Sequence, residues 1–402
     1  MHIINKVKIK SYHEKRLVAG SPWIFSNEID NFSALKNLPA GTLVKVEIHQ
    51  NPEFALAYFN PHSLISCRLL SYNVDEVIDQ NFFAKKISQA LFLRQKFFQN
   101  NFYRLVNSES DGLGGLIIDR YDNIFICQIS TAGMEKLKNF IIEALTLNFP
   151  HSIILFKNNS ELRVHEKLSC DSMIENPSNQ TFDNIVSVVE NDLEFKVDLV
   201  NGQKTGWFFD QNINRQFAEK IAKNADVLDG YCYVGGFGSH AIKGLAQSVT
   251  FVDSSNSALE LCKINAHNAA QKYHRNCQLN FYQEKIFDLF ENQSLAPQSF
   301  DLIMLDPPAF VKNKKDFFAG FKGYEKLIKL ACPYLRKNSY LMLSSCSHHL
   351  SLEDLIQAAQ NGFNKSKKHA KLIRCFGAGI DHPIHPSLKE NEYLKSLTFF
   401  IE

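Results

Sequence analysis

Two apolar strands that each end in an acid constrain this chain more than any other feature. Val227-Leu228-Asp229 ends one, Val249 to Asp253 forms the next, and a helix-sized stretch lies between them. Ser257 to Gln271 has helical spacing, and the Ser254-Ser255 pair before it can cap the helix. Phe300 to Asp306 is a strongly apolar strand, Tyr324 to Leu335 a helix, and Ser339 to Ser345 another buried strand. From about Val186 onward, strands and helices thus alternate. That order predicts an α/β fold with a doubly wound, mostly parallel sheet and right-handed crossovers. Ligands of such sheets bind outside the carboxyl ends of the strands, so residues just past strand ends carry the functional information.

The rest of the chain reads differently. Residues 42–48 and 54–59 alternate in polarity like strands, Asn60-Pro61 marks a turn, and Ile65 to Leu70 reads as another strand. Residues 1–72 therefore form a small all-β module. Gln80 to Asn100 carries apolar residues at helical spacing and reads as a connector. Ile117–Arg120 and Ile124–Ser130 pair around Asp122-Asn123, Glu135 to Leu147 is helical, and Ser152 to Lys157 is a strand. The expected organisation is 1–72, a connector and small α+β domain over 73–185, and a Rossmann-like domain over 186–402. A length of 402 residues has room for these, and a 45% hydrophobic, 21% charged composition supplies their cores. It excludes a disordered chain, a collagen and a coiled coil.

No apolar run reaches the ~18 residues that span a bilayer, and the start of the chain does not read as a signal peptide. The nine cysteines are scattered and none is spaced Cys-x-x-Cys, so neither a disulfide framework nor a four-cysteine zinc site is expected. The cytosol is the natural compartment. Basic regions at 1–72, 305–340 and 360–402 flank an acidic one at 181–260. That suits a protein that meets a polyanion, although solvated surface accounts for it equally well.

Four stretches carry chemistry. The first is Asp229-Gly-Tyr-Cys-Tyr-Val-Gly-Gly-Phe-Gly238. Gly235, Gly236 and Gly238 are expected to let backbone pass close to a ligand, and Asp253 can accept both ribose hydroxyls of a nucleoside. Dinucleotide folds place their glycines directly after the strand. Here they come late, which suits S-adenosylmethionine, since there is no pyrophosphate to cradle. Tyr231 and Phe237 belong to the same turn. The plain alternative is a tight strand-to-helix turn with no ligand.

The second is Asp306-Pro-Pro-Ala-Phe310. The carboxylate can accept from a base's amino or imino hydrogen, Pro307 and Pro308 stiffen the loop, and Phe310 offers a stacking face to an extruded base. The third is Ser344-Ser-Cys-Ser-His-His349. A lone cysteine in an apolar strand is usually packing. Cys346, at the strand's mouth among hydroxyls and beside two histidines, is a nucleophile candidate. His348 and His349 have no clear third partner, so no metal is expected. The fourth is Asn201 to Arg215, whose Gln203, Thr205, Phe209, Asp210, Gln211 and Arg215 could line the cofactor pocket.

Together these stretches resemble the class I S-adenosylmethionine-dependent RNA methyltransferases that make 5-methylcytidine in 23S ribosomal RNA, of the large-subunit methyltransferase I type. The likeness spans essentially the whole chain. Gly20-Ser-Pro-Trp-Ile-Phe-Ser-Asn-Glu28 with Tyr58-Phe-Asn-Pro-His-Ser63 resembles the family's RNA-binding PUA β-barrel. Ser108 to Tyr121 resembles the opening of its central domain. Gln203-Lys-Thr-Gly, Asp210-Gln211, Arg215, Asp306-Pro-Pro-Ala-Phe, Cys346-Ser-His-His, Asp381-His-Pro and Tyr393-Leu-Lys395 resemble its methyltransferase core. The resemblance implies S-adenosylmethionine as cofactor, ribosomal RNA as partner and a homodimer. Three departures stand out. Gly114 occupies a position that is often Pro. Lys285 stands where an acid near the adenine amino group is usual, with Glu284 or Asp288 as substitutes. No second cysteine lies between Asp306 and Phe310, as this family leads one to expect.

The implied mechanism uses Cys346 as the thiolate that adds to cytosine carbon 6, helped by His348, with Asp306 holding the base. Three rivals differ in class: an N-methylating enzyme acting on guanine or adenine, a non-catalytic RNA-binding assembly factor, and an NAD-dependent dehydrogenase, against which the late glycines argue. At the other end of the chain, Lys6, Lys8 and Lys10 alternate, so they share one strand face, with Arg16 close by. Such a row can follow an RNA phosphate backbone, or it can guard a strand edge against aggregation.

Overall fold

The computed structural model describes residues 5–170, 174–273 and 276–402, so the start of the chain at Met1 to Ile4 lies outside the described residues. The chain divides into two compact units. The first holds residues up to Asp183 together with Gln203–Thr205 and Ile380–Asn391; the second holds Asn184–Gly202, Gly206–Gly379 and Glu392–Glu402.

In the first unit, β1 (Asn5–Lys8), β2 (Trp23–Phe25), β3 (Thr42–Ile48), β4 (Asn51–Phe59) and β5 (Ile65–Ser71) form a five-stranded sheet in the order β1-β3-β4-β5-β2. Alternation in β3 buries Val44, Val46 and Ile48 on one face. The connector helix runs Gln80–Gln95, and the Asp79 side chain accepts from the N–H groups of Asn81 and Phe82 at its start. It stops short of the expected Asn100. A second sheet follows: β6 (Phe102–Asn107), β7 (Leu116–Tyr121), β8 (Ile124–Ile129) and β9 (Ile153–Phe156). The expected single helix after β8 is two, Ala132–Lys136 and Lys138–Asn148.

These modules share one core. Leu56, Tyr58 and Leu70 of the first sheet pack with Phe83 of the connector and with Tyr103, Leu116 and Phe125 of the second. Tyr58 donates to the Gly114 carbonyl at 2.7 Å. A Cβ on Gly133 would meet the Tyr58 ring at 2.1 Å, so glycine is required there. The connector also buries Arg94 completely. Its guanidinium makes a bidentate pair with Asp111 at 2.6 and 2.7 Å and donates to the carbonyls of Arg104 and Asp381.

The second unit opens on a hairpin that the sequence pattern did not announce. β10 (Ile185–Glu190) and β11 (Leu193–Asp198) pair antiparallel around Asn191 and Asp192. Both turn residues have left-handed φ, +50° and +63°, the geometry of a tight two-residue hairpin. The main sheet contains β12 (Asp226–Gly230), β13 (Ser248–Asp253), β14 (Gln278–Gln283), β15 (Phe300–Leu305), β16 (Leu335–Ser345), β17 (Ala370–Phe376) and β18 (Lys395–Ile401) in the order β14-β13-β12-β15-β16-β18-β17. The first five strands of that order run parallel, and β18 is antiparallel to both its neighbours. The winding direction reverses between β12 and β15, which opens a crevice at their carboxyl ends. The helix expected from Tyr324 begins earlier, at Phe317, and ends at Ala331. Pro333 then closes a short 3-10 turn, and Leu335 already belongs to β16. Leu228, Ile303, Leu305, Leu327, Leu341 and Leu343 fill the core beneath the crevice.

Removing Asp111 would strand a buried guanidinium, a change that typically costs about 3–5 kcal/mol. Asp111→Ala is therefore expected to lower the urea midpoint clearly, whereas Glu143→Ala on the exposed face of the helix Lys138–Asn148 should barely move it. Equal midpoints for the two variants would refute this role of the pair.

Candidate active site

The crevice is built first by a buried carboxylate. Asp229, in β12, is almost fully buried, and its Oδ2 accepts from the Gly238 N–H at 2.7 Å. Burial pushes its carboxyl up to about 8; the Gly238 hydrogen bond opposes this, while Asp306 and Asp253 push it further up. Asp253, at the end of β13, accepts from the N–H groups of Tyr233 and Ser255, each at 2.8 Å. One acid thus ties the turn to the helix Gly236–Lys243, and the other ties it to the start of the next helix. Between them the backbone is forced: Tyr231 and Tyr233 have φ of +63° and +51°, and Gly235 has +83°. The Tyr231 hydroxyl is buried without a hydrogen-bond partner.

The glycines act differently from expectation. A Cβ on Gly238 would lie 2.1 Å from the Phe251 ring, one on Gly235 would lie 2.7 Å from Cys262 Sγ, and one on Gly236 would crowd Arg215 and Trp207. Gly238 lets its helix press onto β13, Gly235 clears the helix Asn256–Tyr273, and Gly236 clears Arg215 and Trp207, so each missing side chain serves protein packing. Phe237 is likewise buried.

The second wall comes from β15 and β16. Leu305 sits beside Leu343, so Asp306 and Cys346 leave neighbouring parallel strands at the same edge. Pro307 is buried and Pro308 exposed. Phe310 is half-buried, its ring centroid 4.6 Å from that of Tyr324 and 6.0 Å from that of Phe287, in an aromatic row. The Tyr324 hydroxyl donates to Ser345 Oγ at 2.8 Å and lies 3.1 Å from Ser347 Oγ, bracing the residues on both sides of Cys346. Cys346 itself is half-buried. The His348 ring lies against Tyr393, 5.4 Å between centroids, and the Tyr393 hydroxyl donates to Asp210 Oδ2 at 2.5 Å. Lys395 Nζ donates to the carbonyls of Ser347 and Tyr393 at 3.0 and 3.2 Å. Among the described residues, no group of three or more His, Cys, Asp and Glu is placed to hold a metal ion.

Comparison with known proteins fits this architecture. A PUA-like domain model matches residues 7–72, and an S-adenosylmethionine-dependent methyltransferase model matches 151–347. Ribosomal RNA large subunit methyltransferase I of Shewanella frigidimarina is 32% identical over 396 residues, covering 98% of each chain. That of Tolumonas auensis is 33% identical over 398 residues, covering 97% and 98%. The chain belongs to the ribosomal RNA large subunit methyltransferase I family. A structure from Streptococcus mutans described as an S-adenosylmethionine-dependent methyltransferase shares the fold, at 21% identity and a TM-score of 0.80, covering 99% of this chain and all of that one. A methyltransferase solved with S-adenosylhomocysteine gives 0.81 at the same identity and coverage.

The residues of this methyltransferase fit the family's cofactor at the crevice: Tyr231 offers an orphaned buried hydroxyl there, and Asp253 and Asp306 line the strand ends. The fourth sequence stretch is corrected in part. Arg215 is engaged by protein partners. It is buried, pairs with Glu190 through two 2.6 Å bonds, donates to the Phe208 carbonyl and stacks on Trp207 at 4.4 Å. Glu190 went unnoticed because it lies in the unforeseen hairpin; His240 beside it is lowered to about 4 by burial, against the pull of Glu190. Gln211 is buried and accepts from Asn214, and Phe209 is buried beside it. Gln203 and Thr205 belong to the first unit, where Thr205 donates to Asp119 Oδ2 at 2.6 Å; that bond takes up the hydroxyl expected at the cofactor. Lys285 is exposed at the start of a short helix.

The basic residues of the PUA-like module are also partnered. Lys6 and Lys8 are exposed on one face with Val7 buried between them, as the alternation implied. Glu47 pairs with both, at 2.6 and 3.9 Å, and Lys10 donates to the Asn27 carbonyl. Arg16 is held by Ser21, the Trp23 carbonyl and Glu28, which makes it a brace inside the module.

Asp229 gives this site a pH signature. In the unfolded chain it ionises near ~4, but in the fold only near 8. The native state binds the extra proton in that window, so the group costs stability progressively as pH rises through it. Asp229→Asn is expected to stabilise the cofactor-free protein, relative to wild type, more at pH 8 than at pH 5. A stability difference independent of pH would contradict the burial argument.

Proposed function

We propose that this enzyme methylates carbon 5 of a cytidine in 23S ribosomal RNA, with Cys346 as the nucleophile. One observation carries the reading: Asp306 and Cys346 emerge from adjacent parallel strands at the carboxyl edge of the sheet. Carbon 5 of cytosine is too weak a nucleophile to attack a sulfonium unaided. The Cys346 thiolate adds to carbon 6, and the electrons of the carbon 5–carbon 6 double bond move towards carbon 5. S-adenosylmethionine, when bound, supplies the methyl group as an electrophile. Asp306 binds the base at N3 and N4: it accepts from the amino group and passes a proton to N3, which neutralises the electron density that the addition brings to the ring. A base then removes the carbon 5 proton, the double bond re-forms and the carbon 6–sulfur bond breaks. Asp229, Tyr231 and Asp253 are assigned to the cofactor, with Gly235, Gly236 and Gly238 shaping the turn that carries them.

The PUA-like module is assigned to the RNA backbone. Because Glu47 already partners Lys6 and Lys8, each lysine is worth less than one full phosphate contact. Changing Lys6, Lys8 and Lys10 together to Ala is expected to weaken RNA binding and to flatten the salt dependence by less than about one unit per lysine. An unchanged slope would remove this face from the RNA interface.

The chemical assignment is tested with Cys346→Ala. Methylation of ribosomal RNA should fall by at least ~10²-fold, while S-adenosylmethionine binding, followed by calorimetry, stays intact. Nucleoside mass spectrometry should identify 5-methylcytidine as the wild-type product. A methylated ring nitrogen or exocyclic amine instead, or full activity without the thiol, would overturn the proposal.

A further inference from the structure

Cys346 requires a source of positive potential, because only the thiolate attacks carbon 6 and a free thiol titrates near ~8.5. The sequence offered His348. In the fold that ring lies against Tyr393, and a different cation is tied to the cysteine loop. β18 runs antiparallel to β16, and the register sets Lys395 opposite Ser345, the residue before Cys346. Lys395 Nζ then donates to the carbonyl of Ser347, the residue after Cys346, and to that of Tyr393. The lysine is therefore fixed opposite the residue before the cysteine by its backbone and to the residue after it by its ammonium. Both acceptors are neutral, so they anchor the charge without cancelling it.

We propose that Lys395 is a positioning residue that holds Cys346 as a thiolate, an inference that rests on reading Cys346 as the nucleophile. Three other groups near the cysteine bring no positive charge. Tyr324 is neutral and spends its hydroxyl on Ser345 and Ser347. Tyr393 is bonded to Asp210, and Glu392 bears the opposite charge. Burial lowers the pKa of Lys395, while Cys346 and then Glu392 raise it, so the lysine and the cysteine feel each other's charge. That coupling is mutual: a thiolate that favours the ammonium is itself favoured by it. The same cation assists twice in the reaction. It favours the thiolate before attack, and it favours the sulfur's recovery of the electron pair when the carbon 6–sulfur bond breaks.

The test is the pH dependence of Cys346 alkylation by iodoacetamide, followed peptide by peptide with mass spectrometry because Cys170 and Cys375 are also exposed. In the wild-type protein the midpoint should lie below ~8.5. Lys395→Met, which keeps the length and drops the charge, should raise it by about one pH unit or more. Lys395→Arg should restore it to near the wild-type position. A wild-type midpoint at or above the free-thiol value overturns the proposal without any variant, and so does a Lys395→Met midpoint equal to that of wild type. Failure of the nucleophile assignment looks different: Cys346→Ala would keep methylating RNA while the alkylation midpoints still shifted with Lys395.

Discussion

The hydrogen bond from the Gly238 N–H to Asp229 is the constraint on which the catalytic unit depends. It joins the end of the central strand to the first turn of the helix that follows, in a place where water is excluded. An isolated buried carboxylate is costly, and the backbone donor offsets only part of that cost, which is why the group holds its proton so far above the usual range. The turn between strand and helix must fit this fixed span. Its two left-handed tyrosines and its packed glycines are consequences of that fit, and so is the second clasp that Asp253 places on Tyr233. A strained loop held at both ends by acids is rigid, and a rigid loop at a switch point keeps its shape whether or not a ligand is there.

Much of this was legible in the sequence because local signals agreed. Strands that are apolar and end in an acid, followed by helical spacing, leave few alternatives to a parallel sheet, and each strand from Asp226 to Ser345 that the pattern implied is present. The motifs after the strands therefore fell where expected. What the sequence left out needed knowledge of distant partners. Arg215 sits in a polar stretch and looks like a ligand contact until Glu190, in a hairpin closed by Asn191 and Asp192, is brought against it. The lysine row of β1 looks like free charge until β3 lays Glu47 beside it. The glycines looked like clearance for a ligand because their packing partners, Phe251 and Cys262, come from later elements. Lys395 was marked only as part of the Tyr393-Leu-Lys395 resemblance: its place beside the cysteine comes from an antiparallel pairing with β16 across some fifty residues of chain.

The placement of the reactive groups just past the ends of adjacent strands has a mechanistic consequence. Neighbouring strands are held about 4.8 Å apart by their hydrogen-bond ladder. An acid one residue past Leu305 and a thiol three residues past its partner Leu343 therefore start from positions that the sheet sets. On the proposed chemistry, that spacing presents the carboxylate to the amino edge of a cytosine while the sulfur approaches carbon 6 of the same ring. The cation that polarises the sulfur comes from a third strand, β18, joined to β16 on the side away from β15. Acid, nucleophile and cation are thus ranked in the order β15, β16, β18. On the proposed chemistry, Asp253 and Asp306 lie towards the sulfonium at one end of that series and Lys395 towards the thiolate at the other, while Asp229 keeps its proton up to about pH 8 and adds little charge. A single sheet edge so ordered sets up the opposing potentials that the two reactants require, and it does so before either arrives, which is the condition for electrostatic preorganisation.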